Sequence, residues 1–109
     1  MKSFTVLLTD DATQDLVEIF DFIAVNDSPG NAHHVLDQIE KTFASLSFSP
    51  ERGAYPNELL SLGIREYREI FFKPYRIIYR VTDEAVYVMV IADGRRAIGS
   101  LLQRRLFEA

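Results

Sequence analysis

Apolar residues recur every three or four positions at the start of the chain. Between residues 11 and 25 they are Ala12, Leu16, Ile19, Phe20 and Ile23. This spacing places them on one side of an α-helix, with the carboxylates of Asp15, Glu18 and Asp21 beside them as an expected solvent-facing side. The segment "NDSPGN" then interrupts the pattern. The pattern predicts a first helix over residues ~10–26.

A second apolar stripe follows this interruption, with Ser28 as its expected N-cap and Pro29 in the first helical position. Its members are Ala32, Val35, Leu36, Ile39, Phe43 and Leu46. Pro50 ends the stripe, which predicts a second helix over residues ~29–48. Because so few residues separate the two helices, they are expected to pack as an antiparallel hairpin.

The second half of the chain has a different pattern. A loop rich in proline and glycine, with one helical turn near residues 57–60, leads into three stretches dominated by β-branched and aromatic residues. These predicted strands are Ile64–Phe72, Tyr75–Thr82 and Ala85–Ala92. Short turns join them, as in an antiparallel meander. A strand at Phe4–Leu8 precedes the first helix, and a leucine-rich tail after residue 97 predicts a short amphipathic helix.

The composition is typical of one globular domain spanning residues 1–109. The chain is 48% hydrophobic and 26% charged, and 109 residues suffice for a core without metals or disulfides. It contains no apolar run near the ~20 residues that span a bilayer and no secretory pattern, so a cytoplasmic location and no membrane partner are expected. The absence of cysteine excludes thiol chemistry. His33 and His34 are adjacent on a helix and point apart, so neither a metal site nor a cofactor is expected.

Charge is unevenly distributed along the chain. The net charge is −4, but residues 1–54 carry three basic and nine acidic side chains, whereas residues 55–109 carry nine and seven. Eight of these nine basic residues are arginine, which suits planar contacts with carboxylates or phosphates. The distribution favours a specific anionic partner over general nucleic-acid binding.

Two of these arginines, Arg76 and Arg80, lie four residues apart on a predicted strand and therefore share one face of the sheet. Tyr75, Ile77, Tyr79 and Val81 share the other face, which is better suited to cover by helices. With Arg65, Arg68, Arg95 and Arg96 on the flanking strands, up to six guanidinium groups could converge on one side. The alternative is a set of cross-strand ion pairs with Glu66, Glu69 and Asp93, and the residues alone leave both open.

Several motifs in this order and spacing resemble the ParE/RelE superfamily of toxins from bacterial type II toxin–antitoxin modules. They are "ATQDLVEIFDFIA", "NDSPGNAHHVLDQI", "LSFSPERG", "PYRIIYRV" and "VYVMVIADGRR" with its leucine-rich basic tail. The resemblance covers nearly the whole chain. It implies an α+β fold with an N-terminal strand and an antiparallel helical hairpin packed on a mostly antiparallel sheet, completed by the C-terminal meander and the tail helix.

The superfamily divides into branches with different mechanisms. RelE-like members cut messenger RNA on the ribosome without a metal, which requires a general base and acid besides arginines that stabilise phosphate charge. Arg76 and Arg96 match arginine positions of that branch. Tyr67 and Glu69, however, stand where its members often have lysines, and residues 97–102 contain no Tyr or His. An isoelectric point near 5.1 also disfavours docking onto ribosomal RNA.

These departures place the chain closer to the ParE branch, whose members are associated with poisoning DNA gyrase. The resemblance then implies no catalytic residue, no cofactor, and a hetero-oligomer with a ParD-like antitoxin. The expected target-binding residues are Arg65, Arg68, Arg76, Arg80, Arg95, Arg96, Arg104 and Arg105. The expected antitoxin-binding residues are Leu16, Phe20, Ile23, Arg76 and Arg80. A RelE-like ribosome-dependent messenger RNA endoribonuclease and a non-toxic binding module of the same fold are the alternatives.

Overall fold

The computed structural model describes residues 2–107. Its elements, in chain order, are β1 (Thr5–Leu8), α1 (Asp10–Asn26), α2 (Pro29–Ala44), a 3₁₀ turn (Ser45–Ser47), α3 (Asn57–Leu60), β2 (Tyr67–Phe72), β3 (Tyr75–Val81), β4 (Ala85–Asp93) and α4 (Gly99–Phe107). The α+β architecture predicted from the sequence is confirmed.

Side-chain caps start both long helices. The hydroxyl of Thr9 accepts a hydrogen bond from the backbone N–H of Ala12 at 3.1 Å and begins α1. The hydroxyl of Ser28 accepts from the N–H of Asn31 at 3.0 Å and begins α2, with Pro29 in its first turn as predicted. The end of α2, predicted at residue ~48, is confirmed within a few residues: the α-helix ends at Ala44, and the last turn tightens into the 3₁₀ turn that ends at Ser47.

The four strands form one mixed sheet in the order β1-β4-β3-β2. The predicted meander of β2, β3 and β4 is antiparallel throughout, while β1 lies parallel to β4 and pairs only with residues 85–88. The long crossover through both helices is what allows this parallel pairing. Beyond residue 88, therefore, no strand among residues 2–107 lies beside the outer edge of β4.

Each face of the sheet carries its own apolar cluster. On the hairpin face, which α1 and α2 cover, Ile77 and Tyr79 are fully buried with Ile39, Phe43 and Leu46. The predicted orientation of Ile77 and Tyr79 towards the helices is confirmed. On the opposite face, Ile78 packs with Val90 beneath Leu59 of α3, Leu102 of α4 and Ile98, the residue before α4. The opposite face is thus partly covered.

A β-bulge in β4 shifts the alternation of its side chains. Tyr79 pairs with Val88 and Ile78 pairs with Val90, so Met89 is an extra residue on β4. Val88 and Ile91, three residues apart, consequently both join the cluster on the hairpin face. Bulges bend a strand and increase its twist, and this one lies at the point where β1 ends.

Candidate functional site

Arg76 forms a partly buried ion cluster with two carboxylates. Its Nε donates to Oε1 of Glu69 at 2.7 Å, and its two terminal nitrogens donate to both oxygens of Glu58 at 2.7 and 2.8 Å. Only 12% of the Arg76 side chain and 8% of that of Glu69 are exposed. The paired guanidinium lowers the pKa of the Glu58 carboxyl below its usual 4.5, chiefly through its hydrogen bonds. The cluster fastens the single turn of α3 to the sheet.

Arg105 forms a second partly buried ion cluster at the outer edge of β4. It donates to both oxygens of Asp15, at 2.6 and 3.1 Å, and to the carbonyl of Met89 at 3.2 Å. Asp15 also accepts the backbone N–H of Ile91 at 3.0 Å. The carbonyl of Met89 and the N–H of Ile91, which β1 is too short to reach, thereby have hydrogen-bond partners. The hydrogen bonds to Asp15 raise the pKa of Arg105, and the pair ties α4 to α1.

This arrangement corrects the expectation that Asp15 belongs to the solvent-facing side of the first helix. Its side chain is 9% exposed. The partners of Asp15 lie 76 and 90 residues further along the chain, so the spacing of residues within α1 does not reveal them.

Arg68 is held by the loop that follows α2. It donates to the carbonyl of Gly53 at 3.0 Å and to the phenol of Tyr55 at 3.1 Å, with its guanidinium 4.6 Å from the centre of the Tyr55 ring. Gly53 in turn donates its N–H to the buried phenol oxygen of Tyr79. Burial raises the pKa of that phenol and favours its neutral form. Arg68 thus helps to position the loop.

The remaining predicted target-binding arginines are solvent-exposed. They are Arg65, Arg80, Arg95, Arg96 and Arg104. Arg95 pairs with the Asp93 carboxylate, with 2.6 Å between its Nη2 and Oδ2 of Asp93, and its hydrogen bonds lower the pKa of Asp93 to about 2. The other four make no ion pair within residues 2–107. Their role in binding a target stays a prediction.

The structure does not bring the six arginines of the predicted sheet surface together. Arg68 pairs across the ladder with Tyr79 and so lies on the hairpin face, whereas Arg76 and Arg80 lie on the opposite face. Between Arg76 and Arg80, Ile78 is completely buried. Of the cross-strand ion pairs expected as the alternative, the one at Glu69 forms, with Arg76. Asp93 pairs instead with Arg95, two residues further along the chain, and Glu66 makes no ion pair within residues 2–107. The predicted surface therefore divides into the ion cluster of Arg76, the loop contacts of Arg68 and separate exposed arginines.

A cleft of about 550 Å³ opens between α1, the end of β4 and α4. Its apolar lining includes Ile19, Phe22 and Leu101, and Arg96 and Arg104 supply exposed cations at its margin. We call it the edge cleft. An apolar wall beside two guanidinium groups that make no ion pair within residues 2–107 suits a polypeptide segment that carries both apolar and acidic side chains.

The three helix residues predicted to bind an antitoxin face mostly inward. Ile23 is buried, Leu16 packs against the core of the hairpin face, and the Phe20 ring contacts the His33 ring edge-on at 4.8 Å. Their role in binding stays a prediction. The exposed apolar residues of α1 are instead Val17, Phe22 and Val25. The hydrophobic stripe misses these residues because it identifies the side of the helix that packs inward.

Within the described part of the chain, no three His, Asp or Glu side chains come together as metal ligands. No helix among residues 2–107 is both long and apolar enough to cross a bilayer.

A family model matches most of the chain. The family model described as the ParE toxin of the type II toxin–antitoxin system parDE matches residues 6–98. Toxin ParE3 of Caulobacter vibrioides is 29% identical over 100 residues, covering 92% of this chain and 96% of that protein.

Solved structures share the fold. The chromosomal ParDE toxin–antitoxin system from P. aeruginosa matches with a TM-score of 0.71 at 21% identity, covering 84% of this chain and 96% of that one. The toxin–antitoxin complex RelBE2 from Mycobacterium tuberculosis matches with a TM-score of 0.56 at 24% identity, covering 85% and 93%. Since the family model spans most of the sequence, the chain belongs to the ParE toxin family of type II toxin–antitoxin systems.

Proposed function

We propose that this toxin arrests bacterial growth by acting on DNA gyrase and that a ParD-like antitoxin neutralises it. Membership of the ParE family supports the toxin role, and the resemblance to the ParE branch supports gyrase as the target.

The observation that favours this function over messenger RNA cleavage is the burial of Arg76. Its position matches a phosphate-stabilising arginine of RelE-like nucleases, yet Glu58 and Glu69 already occupy three of its donors. A phosphate would have to displace two carboxylates from a side chain that is 12% exposed. Tyr67, at a position where those nucleases often carry a lysine, is buried. These features disfavour a nuclease centre here.

The edge cleft supports the proposed antitoxin. Antitoxins of this kind are expected to fold an acidic, partly apolar segment onto the toxin, which requires apolar surface and accessible cations. The cleft supplies Phe22 and Leu101 as apolar surface and Arg96 and Arg104 as cations. It lies beside α1, where the sequence predicts antitoxin contacts.

Purified components test the proposed function. The protein should inhibit DNA supercoiling by purified gyrase, and a stoichiometric amount of its antitoxin should restore supercoiling. It should leave messenger RNA intact on translating ribosomes. Uninhibited gyrase would refute the proposed target, and ribosome-dependent cleavage would assign the chain to the nuclease mechanism.

The antitoxin site has its own test. Phe22→Ser combined with Arg104→Gln should weaken antitoxin binding at least ~30-fold, as expected when an apolar anchor and a charged contact are lost together. Val25→Ser combined with Lys41→Gln is the matched control, because it also removes one exposed apolar group and one cation. Equal affinities of the two variants would place the antitoxin elsewhere.

A further inference from the structure

The opposite face of the sheet is covered along only part of its length. Leu59, Ile98 and Leu102 cover Ile78 and Val90 completely. One step further along the strands, towards the turn between β3 and β4, neither α3 nor α4 continues this cover. On β2 the side chain at this level, Tyr67, is buried, but those on β1, β4 and β3 are exposed.

These side chains form one row across the sheet. Leu7 of β1 pairs with Tyr87 of β4, and Tyr87 pairs with Arg80 of β3. Paired residues direct their side chains to the same face at a Cβ separation of ~5 Å, so the three are neighbours. Leu7 is 41% and Tyr87 38% exposed, and Arg80 is exposed as well. We call these three residues the cross-sheet row.

Arg80 differs from the other arginine of its strand that points to this face. Arg76 has two carboxylate partners, whereas Arg80 makes no ion pair within residues 2–107. Arg80 is therefore an exposed cation beside Tyr87 that is accessible to a carboxylate of a partner. Tyrosine and arginine are also the residue types most enriched among those that dominate the energy of protein interfaces.

The charge around the row indicates which class of partner it fits. Asp83 and Glu84 form the adjacent turn, and the whole chain carries a net charge of −4. A nucleic-acid strand would bring many phosphates close to these carboxylates, which is unfavourable. A polypeptide with one carboxylate beside an apolar side chain would match Arg80, Tyr87 and Leu7 while bringing a single negative charge near the turn.

We propose that the cross-sheet row is the surface by which the toxin binds its target protein, through a target segment that presents a carboxylate next to an apolar side chain. The inference rests on the proposed function. It separates two surfaces: the edge cleft holds the antitoxin, and the row, on the opposite face, contacts the target.

The test compares two double variants. Tyr87→Ser with Arg80→Gln removes the aromatic ring and the free cation of the row. Phe48→Ser with Lys41→Gln removes the same two kinds of group from exposed positions elsewhere. Each is expressed without antitoxin in a bacterium, and surviving colonies are counted. Urea unfolding and antitoxin binding are measured on the purified proteins.

The row variant is expected to raise survival at least ~10-fold over wild type while folding normally and binding antitoxin with unchanged affinity. The control should kill as wild type does. Arg80→Glu alone should raise survival more than Arg80→Gln alone, since it places a like charge opposite the partner's carboxylate. These single changes at an exposed position keep the test valid even if Tyr87→Ser destabilises the sheet.

Three results would overturn the inference. If the row variant kills cells as well as the control does, the row does not bind the target. If the row variant binds antitoxin more weakly, the row is an antitoxin surface. Binding of a labelled single-stranded oligonucleotide by wild type but not by the row variant would assign the row to nucleic acid. A wild-type protein that is folded and harmless would instead refute the proposed function, and the target role of the row with it.

Discussion

Replacement of Arg76 by alanine should destabilise the fold, because this arginine is the cation of a partly buried ion cluster. The change removes three charge-assisted hydrogen bonds and leaves the Glu69 carboxylate, 8% exposed, without a counter-ion. Breaking a buried pair from one side costs ~3–5 kcal/mol. The Glu58 carboxylate is one-third exposed, so water solvates its charge once the arginine is removed. The loss of its pair with Arg76 therefore adds only ~0–1 kcal/mol to the cost. We expect a total of ~3–6 kcal/mol.

Urea unfolding followed by circular dichroism at pH 7 measures this change. For a domain of this size the slope is ~1–1.5 kcal/mol per M, so the midpoint should fall by ~2 M or more with an unchanged slope. Arg80→Ala is the matched control, since Arg80 lies on the same strand and face and makes no ion pair in the described part of the chain. Its free energy of unfolding should stay within ~0.5 kcal/mol of wild type.

A second substitution tests the cause. Adding Glu69→Gln to Arg76→Ala removes the uncompensated charge and should restore at least ~1 kcal/mol of the lost stability. Equal stabilities for Arg76→Ala and Arg80→Ala, or no recovery in the double variant, would refute the account of the ion cluster. A loss of toxicity in Arg76→Ala therefore reports on target binding only if folding has been measured.

Three further predictions concern the fold. Gly53→Ala should cost ~1–3 kcal/mol, because its Cβ would lie 2.5 Å from the phenol oxygen of Tyr79, whereas Gly30→Ala, with open space around it, should cost nothing by the same urea assay. Ile77→Ala should cost ~2–5 kcal/mol as a fully buried truncation, and a loss near zero in that assay would place Ile77 outside the core. Because the pKa of Glu58 is lowered in the folded state, the ionised carboxylate adds to the free energy of unfolding above pH 4.5. This stabilisation is lost as the pH falls through the lowered pKa. Glu58→Gln should therefore flatten that part of a stability profile measured from pH 6 to 2.

Local patterns in the sequence predicted most of the fold. The apolar spacing of both helices, the Ser28 cap and the alternation around Ile77 and Tyr79 correspond to the structure within a few residues. Each of these features depends on contacts that a period of 3.6 or two residues already encodes. The bulge at Met89 interrupts such a period without any proline or glycine to mark it.

Long-range ion pairs were the part that local patterns could not reveal. Arg105 and Asp15 lie 90 residues apart, and Arg76 meets Glu58 across a loop of irregular structure. A sequence shows that arginines and carboxylates are present but not which pairs become buried. The exposed row centred on Tyr87 was missed for a related reason, because its members come from three strands whose order in the sheet follows from the crossover.

Expression of the chain without its antitoxin in a bacterium tests the toxin function most directly. Growth, the DNA-damage response and the integrity of messenger RNA should be followed in the same culture. A gyrase-directed ParE toxin should arrest growth and induce the DNA-damage response while transcripts remain intact. Growth arrest with transcripts cut on ribosomes and no DNA damage would contradict the proposed function, as would normal growth in cells that accumulate the folded protein.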